Sequence, residues 1–301
     1  MIVEYLQPGA SLWDGATVVL RAAYYAATLG AAGLALFAVG FGHRFEADLA
    51  ARLRRWVLGA AVLGIGLSVA ALVLRAGVLT GGESLVDADT WRAMMASRIG
   101  DAFWIRVAGL GLVALSAARW RVGPALAGMG ALMVAASYAA MGHSTLYRPR
   151  QELSALVTLH LLAVAFWAGS LPPLAWAAAR GGAASAALVA AWSRAAVASV
   201  AVVFAAGGVA AWYLVGRWDL LAASWYGWAM VAKVALVLVM LGLAAWHRLR
   251  LAPALAAGRD GAGARLRRSV LVEAAVAALV FYAAAEMVSI HPLDYGHRVQ
   301  S

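Results

Sequence analysis

The sequence predicts an all-α polytopic membrane protein, a bundle of about eight transmembrane helices with both termini on the periplasmic side. Three observations carry this. Hydrophobic residues make up 64% of the 301 positions and charged residues 13%, with a mean hydropathy of +0.82. Soluble domains sit near half apolar and a quarter charged, so the bilayer must be this chain's solvent. The apolar residues also fall into runs of about 19–26, each long enough at 1.5 Å per residue to cross ~30 Å of hydrocarbon. Finally, arginine alternates between the links. Segments 43–55, 119–121, 179–194 and 248–268 hold fourteen, against six in the alternate links and tails, and the positive-inside bias places the richer set in the cytoplasm.

Residues 1–16 include Glu4, Pro8 and Asp14 but no basic n-region, which argues against a removable signal peptide. Spans are then expected at 17–42, 56–79, 100–118, 122–142, 153–178, 190–215, 225–247 and 269–290, forming one integral membrane unit over 1–301. Asp101 and Arg106 interrupt the third. The acidic Glu83, Asp87 and Asp89 fall in the outer 80–99 loop. The inner 248–268 link is Gly/Ala-rich over 256–264 and reads as mobile. Cysteine is absent, which removes disulfides, thiolate metal sites and iron–sulfur ligation. The net charge of +10 comes from arginine and a single lysine, Lys233, and topology accounts for it without nucleic acid.

Ionisable groups at membrane depth cost a few kcal/mol unless paired or hydrated, so each is a functional candidate. Arg21, Arg75, Arg106 and Lys233 all lie near the outer ends of their spans. His160 sits seven residues into the fifth span, about 10 Å down. His143 closes the fourth span, and Glu286, Met287 and His291 close the eighth. The outer half therefore reads as polar and the inner half as nearly dry.

Plainer readings stand beside these. Arg21 and Arg75 reach the headgroups by snorkelling, Asp101 neutralises Arg106, and Glu273 pairs with Arg267 or Arg268. His43 and His247 are interfacial, and His160 bonds Ser137 or Tyr138 across a helix pair. Met141 beside His143, and Met287 beside His291, put thioether next to imidazole. That donor pair, without thiolate, suits copper better than magnesium or calcium, although methionine is also ordinary helix filler. Met94 and Met95, beside Trp91, share that ambiguity.

The run Leu159-His160-Leu-Leu-Ala163-Val-Ala-Phe-Trp167-Ala-Gly169-Ser-Leu171-Pro172 resembles the signature of the CopD family of copper resistance membrane proteins. Leu20-Arg21-Ala-Ala-Tyr24, Gly100-Asp-Ala-Phe-Trp104-Ile-Arg106 and Met141-Gly142-His143 are similar to its opening half. Gly207, Trp228 to Lys233, and Arg267 to Glu273 are similar to its closing half. One departure is Trp167-Ala168-Gly169-Ser170, where a Gly-Gly pair is common. The resemblance implies an eight-span inner (plasma) membrane protein that passes copper between periplasm and cytoplasm, a transporter and not an enzyme. His143 and His160 take the place of the family's histidines. No copper-binding periplasmic domain is fused to the chain, so a separate soluble copper-binding donor protein is expected. A second reading rests on the same Leu-His…Trp-x-Gly run, which also looks like the HemJ type of protoporphyrinogen oxidase. There His160 is an axial ligand of haem b and the arginines hold its propionates. A third makes the chain an assembly partner in a copper-delivery complex.

Overall fold

The computed structural model describes residues 12–45, 47–79, 87–118, 121–141, 150–215 and 225–289. The eight expected spans appear as helices: α1 Leu12–Phe41, α2 Ala47–Leu79, α4 Arg98–Ser116, α5 Gly123–Ala139, α6 Arg150–Arg180, α7 Gly182–Val215, α8 Trp225–Trp246 and α10 Ala262–Ser289. Two short helices come in addition, α3 (Ala88–Met95) and α9 (Ala252–Ala256). Seven of the long helices are long and apolar enough to cross a membrane. The remaining one, α5, has 17 residues and reaches about 25 Å.

The links are shorter than the hydropathy pattern predicts. The expected 179–194 link is a two-residue turn at Gly181 and Gly182, whose φ angles of 66° and 80° suit glycine. The alanine-rich stretch after it is helical because alanine is the best helix former. Beside this turn, the exposed Arg180 pairs with Asp48 at 2.9 Å. The 248–268 link, expected to be mobile, is largely helical. It holds a π-helical turn at His247–Leu251, α9, and a bend at Gly258 and Gly261. Pro253 has no N–H to give the carbonyl four residues back, which accounts for the wide turn ahead of it. Pro172 and Pro173 lie inside α6 without ending it, as membrane helices allow when neighbours satisfy the freed carbonyls.

The core forms around α1 and α6. Helix α1 packs on α2, α4, α5, α6 and α10, and α6 on α1, α5, α7 and α10. Lipid tails are as apolar as leucine, so close helix approach depends on small residues. Gly33 and Gly169 supply it: a Cβ on Gly33 would lie 1.7 Å from the Ala165 carbonyl oxygen, and one on Gly169 would lie 2.4 Å from the backbone of Gly33. Gly109 and Gly130 do the same for α4 and α5. Helices α7 and α8 sit at the rim, with Phe204, Val209 and Trp212 of one and Trp228, Val231 and Leu238 of the other exposed, as lipid-facing residues should be.

Candidate functional site

The ordering of the spans puts the start of α6 and the ends of α2, α7 and α10 at the arginine-poor, outer end by the positive-inside reading. His160 lies ten residues into α6, about 15 Å from its start. Its ring packs against Gly207 of α7, where an added Cβ would come within 2.7 Å of Nδ1. Nδ1 meets the Val203 carbonyl at 3.0 Å. The carbonyl can only accept, so Nδ1 carries the hydrogen, and in the neutral ring Nε2 carries the lone pair. Ser199 extends the α6–α7 seam by donating to the Ala163 carbonyl at 3.2 Å. The predicted bonds from His160 to Ser137 or Tyr138 do not form. The Ser137 hydroxyl bonds Val134 of its own helix and Tyr138 bonds Thr28. Lys233 of α8 lies within electrostatic range of His160.

A second polar group lies deeper on the same helix. Seven residues below His160, the Trp167 indole donates to Glu273 Oε1 at 2.5 Å. Glu273 is fully buried. Its Oε2 stands 3.2 Å from Nδ1 of His247, too poorly aligned for a hydrogen bond, so Oε2 is an open acceptor. Nε2 of His247 meets the Ser269 hydroxyl at 2.7 Å. This corrects three expectations. Glu273 does not pair with Arg267 or Arg268 but turns inward. His247 is 5% exposed rather than interfacial. The inner half is not dry, since it holds a carboxylate, an imidazole and an indole in one network.

The π-helical turn that begins at His247 is why sequence reading missed this. It adds a residue to the coil and changes the direction in which His247 faces. Trp167, read from the sequence as a packing residue, is the donor that orients the carboxylate. Gly169 faces α1, nine residues and two and a half turns from His160, hence on the opposite side of α6.

The third group lies on α1, α4 and α5. Arg106 is buried between the ring faces of Tyr24 and Tyr138, its guanidinium carbon 4.8 and 4.5 Å from their centroids. Tyr138 meets the Thr28 hydroxyl at 2.5 Å, and Tyr25 packs edge-on against Tyr138. Asp101 does not neutralise Arg106: it is exposed in the first turn of α4, and Nε and Nη2 of Arg106 have no partner. Arg21 is half-buried and Arg75 exposed.

At the outer mouth, Met141 is half-buried just past α5, while Glu286 and Met287 are buried near the end of α10. His143 and His291 lie outside the described residues. Among the described residues no three His, Asp or Glu side chains converge as a metal cage.

Nothing in this arrangement supports the haem reading. His160 faces α7, and the arginines that would hold propionates gather on the α1 side, across the body of α6.

These features define a polytopic α-helical membrane protein with oriented polar side chains inside its bundle. Family models agree with the residue-level resemblance. Residues 12–148 match the copper resistance protein D-like N-terminal domain, and residues 186–287 match copper resistance protein D. The chain belongs to the copper resistance protein D family. Helix α6, with His160 and Trp167, falls between the two matched segments. No curated protein and no solved structure matches the chain.

Proposed function

We propose that this protein carries copper across the inner membrane. The ion enters at the periplasmic face past Met141 and His143, with Met287 and His291 as further donors. It then passes to Nε2 of His160 and on to the open carboxylate oxygen of Glu273 and to His247. A soluble periplasmic copper-binding protein delivers it, and no chemical conversion of a substrate is involved.

The observation that carries this reading is the hydrogen bond from His160 to the Val203 carbonyl. Histidines that hold metals characteristically donate their second N–H to a carbonyl or carboxylate, which fixes the tautomer and aims the other nitrogen at the ion. Below it, Glu273 supplies a carboxyl oxygen deep in the bundle, and such a donor offsets the cost of a cation at that depth. Stations with one or two donors each release the ion readily, whereas a closed four-ligand cage would hold it.

The test is copper uptake into sealed proteoliposomes of defined orientation. H160A and E273Q should each lower the initial rate about tenfold or more, the range seen when ligands or their supports are removed, with unchanged insertion. Wild-type rates in both variants would sink the proposal.

A further inference from the structure

Arg106 presents buried donors that no described residue answers. It is 4% exposed, and Nε and Nη2 have no acceptor. The Tyr24 and Tyr138 ring faces attract the cation, but N–H donors withdrawn from water still need an oxygen. The Tyr138 hydroxyl is engaged with Thr28, whose own hydroxyl also bonds the Tyr24 carbonyl. No carboxylate among the described residues pairs with Arg106.

Two more cations converge on the same place. Arg21 lies one turn before Tyr24 and Tyr25 on α1, Arg75 lies on α2, which packs against α1, and both charges act with that of Arg106 on the Tyr25 hydroxyl. Arg21 and Arg75 also stand close enough to repel each other. Exposure falls from Arg75 through Arg21 to Arg106, so the group leads from the helix surface into the bundle. Arg75 is four residues from the end of α2, about 6 Å below it, one turn from headgroup level.

We propose that Arg21, Arg75 and Arg106 form a binding site for one phosphate-bearing anion at the outer end of α1, α2 and α4. Phosphate oxygens accept several guanidinium N–H groups at once, which a single chloride cannot match in geometry. The anion supplies the acceptor that Arg106 lacks and cancels the repulsion between Arg21 and Arg75. The tyrosine rings close the site below it. The phosphate comes either from a membrane lipid headgroup or from free phosphate. The proposal is independent of the copper reading, because none of the three arginines lies on the proposed ion path.

The experiment compares the full chain with R21Q/R75Q, whose altered residues are the more accessible ones and leave the buried core intact. Both are reconstituted with phosphatidylglycerol or with a neutral galactolipid lacking phosphate, then stripped in detergent and weighed by native mass spectrometry. In a separate arm, inorganic phosphate is titrated while the melting temperature is followed. Retention of one phosphatidylglycerol by the wild type, reduced roughly tenfold in R21Q/R75Q, assigns a lipid phosphate. A rise in melting temperature with inorganic phosphate, lost in R21Q/R75Q and without lipid retention, assigns free phosphate. Equal retention of both lipids by both proteins, with no response to phosphate, overturns the site.

Discussion

The imidazole of His160 owes its orientation to what is missing beside it. Gly207 leaves room on α7 for the ring, and Nδ1 meets the Val203 carbonyl there. Gly207→Ala puts a methyl 2.7 Å from Nδ1, so it should displace the ring and reduce copper uptake as much as H160A does. Gly208→Ala meets nothing within 4 Å and should transport at the wild-type rate. Equal rates in all these variants would show that His160 orientation is irrelevant. Two turns below His160, Trp167→Phe removes the indole donor to Glu273 Oε1. It should lower stability by ~1 kcal/mol, as polar contacts between membrane helices do, and a denaturation series in mild detergent reads it. His160 was legible in the sequence because an imidazole in a lipid-compatible run has few bland uses. The Glu273–His247 pair was not, because 26 residues separate its members and each sits near a basic link that offered an easier explanation.

Among the elements, the α1–α6 crossing is the tightest constraint on the bundle. Gly33 and Gly169 leave no room for a side chain on either helix, so Gly169→Val must push the helices apart or strain both. Overpacking of this kind costs about 1–3 kcal/mol or more, and the melting temperature should fall by several degrees. Gly30→Ala, with nothing within 4 Å of its added methyl, is the control that should match or exceed the parent. Span positions were legible because hydrophobic length is a strong signal. Helix ends were not: α2, α7 and α10 run on past their apolar stretches into residues such as Arg52 and Arg267. A helix projecting from the membrane needs no apolar surface, so hydropathy alone cannot mark where it stops.

At the scale of the whole molecule, the two faces of the bundle are set by arginine, and the chain is suited to testing this because it contains no cysteine. A single cysteine introduced at Gly258, in the bend after α9, should react with an impermeant thiol reagent only once the cytoplasmic face is opened. One introduced at Asp87, ahead of α3, should react in intact cells from which the outer membrane barrier has been removed. The reverse labelling would invert the path, placing Glu273 and His247 at the entrance and His160 toward the exit. The three polar groups would keep their contacts in either case, since helix packing and not orientation holds them together.

The coil that turns His247 toward Glu273 carries one residue more than an ordinary helix needs over the same rise. Leu249 within it is 69% exposed, so excising that residue sacrifices almost no packing. The shortened coil would relax to regular winding and swing its two flanks about 100° out of phase. Either the imidazole parts from its carboxylate or α9 peels from α7. A frame-preserving deletion of one greasy surface residue should therefore silence the protein more completely than most substitutions in its core.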